Sequence, residues 1–142
     1  MAGQRLASSR PEAGLRLAGG RPLAGHGPAP VRVEAGWRLD RGTAVIEMAR
    51  VAGLELAGGA DGNHPLDATT AGVGDLILTA VESGARRVVI GMCGSATTDG
   101  GLGALGAMGS PARYRGVELL VACDVRTRFV AAAEAATVYI RF

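Results

Sequence analysis

No lysine occurs among the 142 residues; all fifteen basic side chains are arginine. That excludes every chemistry built on a lysine amine: a Walker-A lysine over nucleotide phosphates, a Schiff base, a Ser-Lys nucleophile pair. Aromatic residues make up only 4% of the chain. No basic stripe interleaved with aromatics appears, so the footprint of a nucleic-acid-binding protein is missing. No apolar run reaches the roughly 18 residues of a membrane span. Cysteine is scarce. Cys93 and Cys123 have no metal-ligand spacing, and their apolar neighbours predict buried, reduced thiols in a cytoplasmic protein. Charge of either sign is nearly balanced, 15 basic against 13 acidic residues for a net +2.

Glycine is what the chain has in excess, 23 of 142 residues, more than twice the ordinary share of about 7%. Apolar residues make up 48%, enough for one domain with a core of its own. Residues 1–30 read as a tail, disordered or foreign to the rest, because glycine and proline interrupt any amphipathic pattern and arginine outnumbers acid. Order is expected from Val31. Val31, Val33, Ala35, Trp37 and Leu39 alternate at period two, as in a half-buried strand. Asp40-Arg41-Gly42 is a turn, and Thr43 to Glu47 is the return strand of a hairpin. A short helix from Met48 to Leu56, broken at Gly53, and a loop from Gly58 to Pro65 follow. A helix is predicted from about Gly72 or Gly74 to Ser83, with Gly84 just past its end. Arg87 to Met92 and Val117 to Cys123 are continuous apolar runs suited to buried parallel strands, with a small-residue helix over Leu102 to Met108 between them. The rhythm is βαβ, and the class is α/β with a partial parallel or mixed sheet.

Between the first buried strand and the last helix lies Gly94-Ser95-Ala96-Thr97-Thr98-Asp99-Gly100-Gly101. Parallel sheets bind ligands at such strand-to-helix loops. Glycine allows close backbone approach, Ser95, Thr97 and Thr98 add hydroxyls, and a helix N-terminus behind them favours an anion. Asp99 alone would repel that anion. It makes sense as a Mg²⁺ ligand, as a base for a hydroxyl, or as a cap on the helix. Asp124 ends the second buried strand, and if the two strands are parallel neighbours both carboxylates face one crevice. Thr69, Thr70, Gly72 and Gly74 form a weaker copy of the same small-residue helix start. Gly101-Leu102-Gly103-Ala104-Leu105-Gly106 matches the spacing of a dinucleotide-binding turn and leaves an oxidoreductase domain as the alternative. That motif should follow its strand immediately, and here the strand ends near Met92, so the glycines are expected to let the helix pack close to the sheet. His64 sits beside Pro65 in a loop and is expected to be exposed.

Four stretches together resemble the type-1 glycerate kinases. Gly94 to Gly101 is similar to that family's G-S-A-T-[NT]-D-G-G. Gly42 to Ala49 is similar to G-x-A-V-[IV]-E-M-A, and Pro65-Leu66 with Thr69 to Ile77 to N-P-L…T-[ST]-x-G-[TV]-G-[ED]-L-I. Val121 to Val125 is similar to V-A-C-D-V. The resemblance spans about residues 31–126; residues 127–142 look foreign to it. It implies part of a two-domain α/β fold and ATP- and Mg²⁺-dependent phosphorylation of glycerate, with 2-phosphoglycerate as the expected product. It also implies a phosphate or substrate site at Gly94, Ser95, Thr97, Thr98, Gly100, Gly101, Thr70 and Gly72, with Asp99 and Asp124 as catalytic and metal-binding candidates. The partner implied is a small hydroxy acid, neither nucleic acid nor membrane, and oligomeric state is left open. Because the family's chains are more than twice this length, the sequence reads as an inactive fragment.

Overall fold

The computed structural model describes residues 13–18, 31–63 and 67–123. Two sheets are present. The smaller is an antiparallel ribbon of β1 (Ala13–Ala18) and β2 (Val31–Gly36), with Ala13 opposite Gly36 and Ala18 opposite Val31. The larger holds β3 (Arg38–Asp40), β4 (Thr43–Glu47), β5 (Arg87–Gly91) and β6 (Glu118–Ala122), in that spatial order. β3 and β4 are antiparallel; β4, β5 and β6 run parallel. Helices α1 (Ala49–Ala52), α2 (Gly59–Gly62), α3 (Ala71–Glu82) and α4 (Leu102–Met108), with a 3-10 turn at Pro111–Tyr114, complete an α/β architecture.

The hairpin follows from its turn. Arg41 and Gly42 both have positive φ, +46° and +78°. A two-residue loop with both centres left-handed matches the twist of the strands it joins. Alternation then sorts β4 by face: Ala44 and Ile46 are buried, while Val45 and Glu47 are exposed. In β5 the buried pair is Val88 and Ile90. Register sets Ala44 beside Val88 and Ile46 beside Ile90, and Val73, Leu76, Ile77 and Ala80 of α3 close over that row. These α3 positions recur at helical spacing, so one face of the helix is apolar. α4 follows β5 as α3 follows β4, and its Ala104 and Met108 rest on the same core. Successive crossovers that step one way across a sheet share a hand and therefore a face.

The structure departs from the sequence reading in several places. β1 falls inside residues 1–30, the stretch read as a tail. The alternation from Val31 to Leu39 is not one strand: it breaks at Trp37, buried in the core, and its two halves pair in different sheets. The helix expected from Met48 to Leu56 stops at Ala52, because Gly53 turns extended and bridges to Ser95. A single helical turn, α2, occupies part of the expected loop from Gly58 to Pro65. Cys93 and Cys123 are exposed rather than buried: Cys93 stands two residues beyond β5, and Cys123 follows β6, an edge strand that is exposed along its length instead of buried as its apolar run suggested. His64, Pro65 and Leu66, Asp124 and residues 127–142 lie outside the described residues.

Candidate functional site

The parallel strands β4, β5 and β6 end along one edge of the sheet, and the Gly94 to Gly101 loop leaves from the middle one. Its first half is pinned to the chain after α1. Leu54 N–H donates to the Gly94 carbonyl at 3.0 Å, and Ala96 N–H to the Ala52 carbonyl at 2.9 Å. Gly53 has to be glycine at this junction, because a Cβ there would run into the Ala49 backbone. Sequence reasoning had seen Gly53 only as a helix breaker, and it missed Asn63, whose side-chain amide reaches the Ala96 carbonyl at 3.4 Å. Between these anchors Ser95 and Thr98 are exposed and Thr97 is half-buried. The Ser95 and Thr97 hydroxyls lie 3.2 Å apart, and Thr97 N–H donates to Ser95 Oγ at 3.2 Å.

The second half of the loop is closed in on Asp99. One carboxylate oxygen, Oδ2, accepts from Thr70 N–H at 2.8 Å, Thr70 O–H at 2.8 Å, Gly103 N–H at 3.1 Å and Thr69 O–H at 3.2 Å. The other, Oδ1, accepts from Gly101 N–H at 3.0 Å and shares the Thr70 hydroxyl at 3.1 Å. Thr70 Oγ1 in turn accepts from Ala104 N–H at 2.9 Å, and Leu102 N–H donates to the Asp99 carbonyl at 3.1 Å. The opening N–H groups of α4, normally without helical partners, are thus satisfied from Asp99 and Thr70. Thr70 is 4% exposed and is the one buried polar side chain among the described residues. Burial works to raise the Asp99 pKa, but the hydrogen bonds from Thr70, Gly101 and Gly103 outweigh it and hold the carboxyl below its ordinary value.

The residues singled out by sequence therefore divide. Gly94, Ser95, Thr97 and Thr98 line the outer half-loop. Thr70, Gly72 and Gly101 belong to the paired starts of α3 and α4, with Gly72 buried; Gly100, exposed at φ +61°, makes the turn between the halves. β5 and β6 are parallel neighbours, as the pairing of Asp99 with Asp124 required, but Asp124 lies outside the described residues. Magnesium takes oxygen ligands, commonly one or two carboxylates together with phosphate. Among the described residues no three His, Cys, Asp or Glu side chains cluster. Asp99 is the carboxylate beside the loop, and its oxygens are turned to five donor groups. The described residues do not fit a magnesium ion. Nor does the Gly101 to Gly106 run fit a dinucleotide: β5 ends well before it, and a Cβ at Gly103 would press on Thr69 and Asp99. Gly103, with Gly74 against Ala104, serves close contact between α3 and α4 rather than packing on the sheet, while Gly101 and Gly106 have open space where a Cβ would stand.

With this geometry in hand, comparison with known proteins is specific. Residues 15–113 match the glycerate kinase family, a span that takes in most of β1 as well as the loop. Glycerate 2-kinase of Escherichia coli K12 is 49% identical over 86 residues, covering 59% of this chain and 22% of that protein. Glycerate kinase of Bacillus subtilis 168 is 40% identical over 124 residues, covering 68% of this chain and 32% of that protein. A crystal structure assigned as glycerate kinase 2 of Salmonella typhimurium LT2 superposes with a TM-score of 0.66 at 28% identity, over 81% of this chain and 37% of that one. The chain thus spans about a quarter to a third of the relatives it matches.

Proposed function

Because the chain belongs to the glycerate kinase family, we propose that it forms the part of a cytoplasmic kinase that receives the phosphates of ATP, and that the whole protein phosphorylates glycerate to 2-phosphoglycerate. The observation that carries this reading is the outer half-loop, Gly94 to Thr98. It stands at the carboxyl end of the central parallel strand, where such sheets take ligands. It is hydroxyl-rich, with Gly94, Ser95 and Thr98 exposed, and backbone bonds to Ala52 and Leu54 hold it in place. A chain without lysine meets phosphate charge with backbone N–H groups, hydroxyls, arginine and a metal, and the half-loop brings three hydroxyls, of Ser95, Thr97 and Thr98, into one short stretch. When bound, Mg²⁺ would neutralise charge developing on the transferred group; with Asp99 occupied, Asp124 is the carboxylate we propose to hold it.

Thermal denaturation with and without ligands tests this. Mg-ATP at 100 times its Kd stabilises by about 2.7 kcal/mol, and Ser95→Ala with Thr97→Val should reduce that shift while leaving the unliganded midpoint nearly unchanged. A shift with NAD and none with Mg-ATP would overturn the proposal in favour of the dinucleotide reading.

A further inference from the structure

We infer that Asp99 is a positioning residue, neither a metal ligand nor a base: its carboxylate is a built-in anion that ties the start of α3 to the start of α4 and so holds the rear of the loop in place. The case rests on how its oxygens are used. Five donor groups converge on them, from Thr69, Thr70, Gly101 and Gly103, all between 2.8 and 3.2 Å. Thr70 passes the arrangement on, donating its hydroxyl to Asp99 and accepting from Ala104 N–H. A cation at Asp99 would have to displace these donors, leaving the buried Thr70 N–H and the half-buried Gly101 and Gly103 N–H groups without their partner, which is costly. An external phosphate at the start of α4 would find its amides already engaged.

Two further features suit a clasp. Thr70 does not cap its own helix with its side chain; the hydroxyl is spent on α4. Gly103 leaves no room for a Cβ, which would meet Thr69 Oγ1 and lie 2.7 Å from Asp99 Oδ2. The half-buried carboxylate is fully engaged by the groups it joins. This inference deepens the proposed function, on which its ligand half rests: phosphate and metal are then met by Gly94 to Thr98 and by groups elsewhere.

The test separates the two. Amide exchange and thermal midpoint are measured on the full chain as wild type, Asp99→Asn, Thr70→Ser and Thr70→Val, each without ligand and with ATP in the presence and absence of Mg²⁺. The clasp predicts a lower unliganded midpoint in Asp99→Asn. It also predicts exchange faster by about tenfold or more at Thr70, Gly101 and Gly103 together, as for loss of charge-assisted bonds. Thr70→Ser should restore protection at Ala104 that Thr70→Val loses. Any extra stabilisation that Mg²⁺ adds to ATP should survive in Asp99→Asn. An unchanged unliganded midpoint with the Mg²⁺ increment abolished would overturn the inference. If wild type ignores ATP altogether, the proposed function fails, and the unliganded exchange pattern still decides whether the clasp exists. Should Asp99→Asn not fold, the Thr70→Ser and Thr70→Val pair decides it.

Discussion

Asp99 carries a charge that the fold needs, and acid should expose that need. Its folded pKa lies below the ordinary aspartate value of 3.8, so its contribution is complete above the unfolded pKa and is lost as pH falls through the lower folded one. Thermal midpoints followed from about pH 6 down to about pH 3 should fall more steeply for wild type than for Asp99→Asn. Parallel curves would show that the carboxylate is energetically idle. At neutral pH the Asn variant should cost about 1.5–3 kcal/mol, the range for hydrogen bonds to a charged group. Gly103→Ala attacks the same place by sterics. The added methyl must displace Thr69 or Asp99, and overpacking of this kind costs about 1–3 kcal/mol. Urea denaturation reads that directly, and an unchanged midpoint would mean that the junction of α3 and α4 is slack.

At the scale of elements, α3 ends by a device its sequence announces. Gly84 has φ +97°, its N–H bonds the Val81 carbonyl at 3.0 Å, and Ala85 N–H bonds the Ala80 carbonyl at 3.0 Å. That is a Schellman motif. Gly84→Ala should cost about 1–2 kcal/mol, the left-handed penalty for a residue with a Cβ, although space is open around the site; calorimetry would check it. Elements written in local chemistry were legible in this way: the Arg41-Gly42 turn, the apolar face and glycine stop of α3, the buried strand at Val88 and Ile90, and α4 at Leu102–Met108; β6 was legible as a parallel strand but is exposed along its length rather than buried. β1 was not, because its alternation is brief and glycine and proline flank it; only pairing with β2 selects it. The break at Trp37 was hidden because alternation continues through it while the partner strand changes. The loop was legible as a polar, glycine-rich ligand candidate. The cap on the helix was one of the three roles read for Asp99, and the bonds from Gly101 and Gly103 N–H agree with it; its hold on Thr70 was not legible, since Thr70 lies 29 residues away.

At the scale of the whole molecule, the helices cover one side of β4 and β5 and leave β6 bare on both. The other side carries a row, Val45 beside Val89 beside Leu120, with Val45 46% and Leu120 40% exposed, and every residue of β6 is exposed. An uncovered apolar row next to an edge strand favours association. Replacing Val45 and Leu120 by threonine keeps β-branched or strand-compatible side chains while removing apolar surface. The double variant should bind less apolar dye and stay monodisperse at higher concentration, with stability within about 0.5 kcal/mol of wild type. Equal dye binding would place the sticky surface elsewhere. The spatial order of the parallel strands has a consequence for synthesis. β4, β5 and β6 leave the ribosome in the order in which they pair, so each strand finds its template already made and none must be wedged between two others. The buried row needs only β4, α3 and β5. Nascent chains stalled at successive lengths should therefore gain protease resistance in α3 in two steps, once Gly91 and then once Met108 has cleared the exit tunnel, with little added by the emergence of Ala122.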